Sequence, residues 1–135
     1  MEKVNGIGGV FFRAQDPEAL AVWYETHLGV RKTPESYEEG SWWQEKGPTV
    51  FAPFESDTDY FGDTVRQWMI NFRVDDLDAM AAQLSDADID VDVVPETFPN
   101  GRFAHLTDPE GNRIELWEPG GTDLTEPETH RRTDA

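Results

Sequence analysis

The chain has 135 residues, enough for one modest core and too few for separate catalytic and cofactor domains. It sets 28 Asp and Glu against 11 Lys and Arg, a net charge of -17, and such a surface is expected to repel nucleic acid and anionic membranes. It contains no Cys, which excludes a disulfide framework, thiolate ligands and a cysteine nucleophile and leaves His and carboxylates as the strong metal ligands.

The acidic residues are spread along the whole chain, so solvation explains them better than a cationic partner does. Lysine occurs only at Lys3, Lys32 and Lys46, and low Lys with abundant Asp resembles the proteins of salt-loving organisms. No apolar run approaches the roughly 18 residues that span a bilayer, and no apolar stretch follows Met1-Glu2-Lys3-Val4. The expected location is the cytoplasm, with no membrane partner.

In chain order, a β-rich segment from Gly9 to Arg13 runs into Asp16, a fitting N-cap, with Pro17 at the first helical position where its missing N–H costs nothing. Leu20, Trp23, Tyr24, His27 and Leu28 follow at helical spacing, and Gly29 is placed to end the helix. A short piece near Arg31 and the segment Trp42 to Glu45 read as strands, and Gly47-Pro48-Thr49-Val50-Phe51 as a turn entering a third. The polar stretch of about 55–66 reads as a linker.

The same elements then recur. Phe12-Arg13-Ala14-Gln15-Asp16 aligns with Phe72-Arg73-Val74-Asp75-Asp76 at an offset of 60, and the Gly47 turn aligns with Gly111-Asn112-Arg113-Ile114-Glu115 at an offset of 64. In the second copy a strand from Met69 to Val74 leads to Asp76 as cap and a helix buried through Leu77, Met80, Ala81 and Leu84. Strands are expected over Ile89 to Val94 and Arg102 to Leu106, then the turn Asp108-Pro109-Glu110-Gly111-Asn112 and a last strand. Each half is β-α-β-β-β. This divides the chain into one domain of about 1–119, with modules of about 5–54 and 67–119, and an acidic, disordered tail of about 120–135.

The run Asp108-Pro109-Glu110-Gly111-Asn112-Arg113-Ile114-Glu115-Leu116-Trp117-Glu118-Pro119 resembles the closing hairpin of the vicinal oxygen chelate superfamily, which includes glyoxalases and bleomycin-resistance proteins. Ile70-Asn71-Phe72-Arg73-Val74-Asp75-Asp76-Leu77 is similar to the opening of its second module, and Asp16 to Gly29 to the helix of its first. The resemblance covers roughly residues 6–118 and has little power to name a reaction. It implies an α+β fold in which two βαβββ modules form a curled mixed sheet around a cup, as a homodimer. The family's four metal-ligand positions fall on Gly9, Phe51, Met69 and Glu115, and only Glu115 can bind a hard cation. The resemblance therefore implies a degenerate site with no metal and no cofactor. His27 and His105 lack a ligand-like spacing to a second donor, and His130 lies in the tail.

Alternation groups Glu115 with Trp117 on one face of the last strand and Ile114 with Leu116 on the other. Taken alone it leaves open which face meets the helices, and the resemblance places Glu115 in the cup. Phe11, Phe51, Met69, Asn71, Phe103, Trp117 and one of Trp42 and Trp43, with Trp43 chosen, become ligand-binding candidates. Part of this aromatic set belongs equally well to the core. Arg102, after Pro99-Asn100-Gly101, suits the pocket mouth better than Arg13 or Arg73, whose equivalent places suggest a structural role. The expected function is to bind an aromatic or amphipathic small molecule, with Glu115 holding its polar group. The alternative that the resemblance implies is an enzyme of lyase, isomerase or dioxygenase type, either metal-independent with Glu115 as catalytic base or using a non-standard metal site.

Overall fold

The computed structural model describes residues 1–128; residues 129–135, His130 among them, lie outside the described residues. Helix α1 spans Pro17–Leu28. It starts where the Asp16 carboxylate accepts the Ala19 N–H, and it stops at Gly29, whose left-handed φ of 71° lets the following Val30 N–H turn back to the Tyr24 carbonyl. Helix α2, Leu77–Asp86, repeats the device, with Asp76 accepting the Ala79 N–H at 3.0 Å.

Four strands, β1 (Ile70–Arg73), β2 (Asp92–Val93), β3 (Gly101–Thr107) and β4 (Arg113–Pro119), form one sheet in the order β1-β4-β3-β2. β4 pairs parallel with β1 and antiparallel with β3. A parallel pair needs a crossover, and the run through α2, β2 and β3 supplies it. Alternation then turns Ile114 and Leu116 of β4 and Ala104 and Leu106 of β3 towards the helices, where they pack with Leu20, Tyr24, Leu77 and Leu84.

The turn between β3 and β4 also holds α1. Asp108 Oδ1 accepts the N–H groups of Glu110 and Asn112, while its Oδ2 accepts the Tyr24 hydroxyl at 2.7 Å. The Glu110 carboxylate accepts the N–H groups of Gln15 and Asp16, at 2.6 and 3.0 Å, just ahead of the helix. In this way the second half of the chain positions the helix of the first.

The expected pair of βαβββ modules around a curled sheet is overturned. All four strands come from the second half, and they form one mixed sheet that is not curled. Among the described residues the segments 9–13, 42–45 and 49–51 form no strand, and Phe11, Trp43 and Phe51 are 95%, 90% and 78% exposed. Apolar alternation makes a strand only where a neighbouring backbone takes up its N–H and C=O groups. Here Arg73 reaches across instead, donating to the carbonyls of Pro48 and Glu45 and tying that segment to β1 by one side chain rather than by a ladder. Beyond β4, Gly121–Leu124 forms a single 3-10 turn. No helix among the described residues is long and apolar enough to cross a membrane.

Candidate functional site

The face of the sheet turned away from the helices carries the polar residues. Register puts Asn71 of β1 and His105 of β3 on either side of Glu115 of β4, and Phe103 opposite Trp117 one step along. Glu115 is 8% exposed and His105 9%. Buried groups of this kind must find partners, and each does. Glu115 Oε1 accepts from the Asn71 amide at 2.8 Å, and Oε2 lies 2.8 Å from His105 Nε2 and accepts the Tyr60 hydroxyl. Tyr60 oxygen stands 3.1 Å from the same His105 nitrogen. A proton on Nε2 satisfies all three contacts at once, and the network assigns that tautomer.

Beside this cluster the rings of Phe103 and Trp117 lie parallel, with centroids 6.3 Å apart and planes 2° from coplanar. Trp117 is fixed in its turn by donating Nε1–H to the Asn100 carbonyl at 2.8 Å. Burial, followed by the hydrogen bond to Glu115 and its charge, pushes the Tyr60 phenol from the usual 10 up to about 12, against the opposing pull of Arg113.

Of the expected ligand-binding residues, the structure gathers Asn71, Phe103 and Trp117 around Glu115. Met69 sits half-buried just before β1. Phe11, Trp43 and Phe51 face solvent. Arg102 points to the helix side and pairs with Asp78 of α2 at 3.1 Å, with that carboxylate 74% exposed. Two open grooves, one lined by Arg13, Ala14, Gln15, Arg66 and Glu110 and the other by Pro17, Glu18, Ala21, Lys32, Thr33 and Glu35, do not include Glu115.

Sequence reasoning missed two members of the cluster. Spacing within one strand gives His105 no partner, because its partner Glu115 lies across the hairpin. The turn itself holds the missing signal: closing Asp108 to Asn112 sets Thr107 opposite Arg113 and therefore His105 opposite Glu115. Tyr60 comes from the stretch of 55–66, and no local pattern announces a contact over 55 residues.

A divalent cation does not fit these donors. His105 Nε2 and Glu115 Oε2 bond each other instead of converging on a shared point, and the second carboxylate oxygen is held by an amide. Among the described residues no group of three or more His, Cys, Asp or Glu side chains is placed to hold a metal.

The described residues thus form a mixed sheet backed by two helices, with one buried carboxylate and an aromatic pair on its outer face. The chain belongs to the Glyoxalase/Bleomycin resistance protein/Dioxygenase superfamily, whose family model matches residues 6–116. Among solved structures it is similar to TnmS3, an antibiotic binding protein from Streptomyces sp. CB03234, with 27% identity over 78% of this chain and 88% of that one and a TM-score of 0.50. It is also similar to a glyoxalase/bleomycin resistance protein from Streptomyces sp. CB03234, with 38% identity and a TM-score of 0.35. That match covers 38% of this chain and spans only 46% of the other. No curated protein matches the chain.

Proposed function

We propose that the chain is a small-molecule-binding member of its superfamily, which holds the polar group of an aromatic or amphipathic compound at Glu115 and the flat part against Trp117 and Phe103. The observation that carries this reading is the buried carboxylate itself, set among an amide, an imidazole and a phenol beside a stacked ring pair. A carboxylate costs several kcal/mol to bury, and its neighbours supply hydrogen bonds but no opposite fixed charge of the Lys or Arg type. The similarity to TnmS3, an antibiotic binding protein, supports a small-molecule-binding role. The metal positions of the superfamily are degenerate in this reading, and binding needs neither metal nor cofactor.

The test is a titration with flat aromatic compounds followed by intrinsic Trp fluorescence. Saturable quenching is expected, weakened about tenfold by Trp117→Phe and by Glu115→Gln, the loss of roughly one charge-assisted hydrogen bond. Unchanged affinity in both variants would overturn the assignment. The reading includes a homodimer, supported by the apolar side chains that Phe11, Trp43 and Phe51 leave exposed in the first half. A monomeric mass by light scattering at working concentrations would remove that part. A second reading, general-base chemistry at Glu115, is favoured by the imidazole in direct contact with it. It requires turnover that Glu115→Gln abolishes while ligand binding persists.

A further inference from the structure

We propose that Tyr60 occupies the polar end of the binding site as an internal surrogate, and that the external ligand is an aromatic molecule bearing a phenolic or enolic hydroxyl that displaces it. The inference rests on the binding role given to Glu115.

The Tyr60 side chain makes the contacts such a ligand would make. Its hydroxyl donates to Glu115 Oε2 and sits 3.1 Å from His105 Nε2. Its ring stacks on Phe54 at 5.8 Å and 26°, meets the His105 ring edge-on at 5.4 Å, and carries the Arg113 guanidinium carbon 5.9 Å from its centroid. The pair it caps is buried, yet Tyr60 itself is 38% exposed. It can therefore swing out without opening the core beneath it.

The segment bearing it is built to release. Its backbone hydrogen bonds run from Thr58 N to Glu55 O, from Gly62 N to Asp59 O and from Arg66 N to Asp63 O, all within the segment. Gly62, at a left-handed φ of 85°, turns the chain just past Tyr60. The far end is anchored by the Arg66 guanidinium on Asn112 Oδ1 and the Glu110 carbonyl. Among the described residues, the hydrogen bonds that join the segment between that anchor and Phe54 to the sheet are those of the Tyr60 hydroxyl.

Exchange of one phenol for another keeps Glu115 satisfied in both states. An apolar ligand would leave Glu115 with only the His105 and Asn71 donors, one charge-assisted hydrogen bond fewer in a buried setting. The hydroxyl requirement follows from that difference. Occupancy by Tyr60 also lowers apparent affinity by the fraction of chains in which the site is closed.

The experiment measures binding of 2-naphthol and of its methyl ether, 2-methoxynaphthalene, by calorimetry, with amide NMR shifts of residues 58–62 reporting displacement of the segment. The full chain is expected to prefer 2-naphthol by tenfold or more, with shifts at Tyr60 and its neighbours. Tyr60→Phe, which lacks the competing hydroxyl, is expected to bind 2-naphthol about threefold to tenfold more tightly. If Tyr60→Phe binds 2-naphthol with unchanged or lower affinity while Glu115→Gln still weakens binding about tenfold, the surrogate role is overturned and the binding role of Glu115 stands. Equal affinity for the two naphthalenes overturns the hydroxyl requirement. Absence of binding to every variant overturns this inference together with the reading beneath it.

Discussion

Two phenols in this chain are held neutral by burial and by a carboxylate partner: Tyr60 beside Glu115, raised to about 12, and Tyr24 beside Asp108, raised further still. For Tyr60 the raised value means that the fold favours the protonated form, so its contribution to stability is complete below pH 10 and is lost as pH rises through about 12. Tyr60→Phe is therefore expected to show a shallower fall in melting temperature between pH 10 and 12 than the parent chain, read by circular dichroism. Tyr24→Phe removes a hydrogen bond to a carboxylate that is 4% exposed. Its expected cost is about 1.5–3 kcal/mol by urea denaturation at neutral pH. That Glu115 and Trp117 share a face was legible from alternation alone, because a strand has a period of two whatever surrounds it. The neighbours that give Glu115 its environment were not, since one lies across a hairpin and the other arrives from a segment without periodic structure.

The elements whose ends carry their own chemistry are the ones the sequence located well. Asp16, Pro17 and Gly29 bracket α1, and Asp76 opens α2. Asp16→Ala and Asp76→Ala are each expected to cost about 1 kcal/mol. The β3–β4 hairpin depends instead on a backbone constraint. Gly101 has a φ of 128°, and a Cβ there would stand 2.0 Å from the Glu118 carbonyl oxygen. Gly101→Ala is expected to lose on the order of 3 kcal/mol or more by urea denaturation. The same denaturation curve for Gly40→Ala, where a Cβ meets nothing within 4 Å, serves as the control. The first-half strands failed for a physical reason: alternation encodes which side of a segment is apolar and leaves unsaid which backbone will pair with it. Internal similarity compounds this, for Arg13 and Arg73 occupy matching places in the repeat, yet Arg73 holds the 45–49 segment while Arg13 borders an open groove.

At the scale of the whole molecule the main electrostatic influence is a net charge of -17 on 135 residues. Self-repulsion of that size weakens as added salt shortens the Debye length from roughly 10 Å at 0.1 M to about 3 Å at 1 M. The melting temperature is expected to climb from low salt to molar KCl; a flat or falling curve would show that the acidic residues are not under mutual strain. Against that diffuse repulsion stands a localised clamp. The β3–β4 turn takes the Tyr24 hydroxyl and the amides of Gln15 and Asp16 across 84, 95 and 94 residues of sequence, while the stretch of 55–65 keeps its backbone bonds to itself. The hydrogen bonds that place α1 on the turn thus use none of the stretch of 55–65. A chain nicked in that stretch is expected to behave as a two-piece protein, its fragments copurifying under native conditions, separating in denaturant and reassociating when the denaturant is removed.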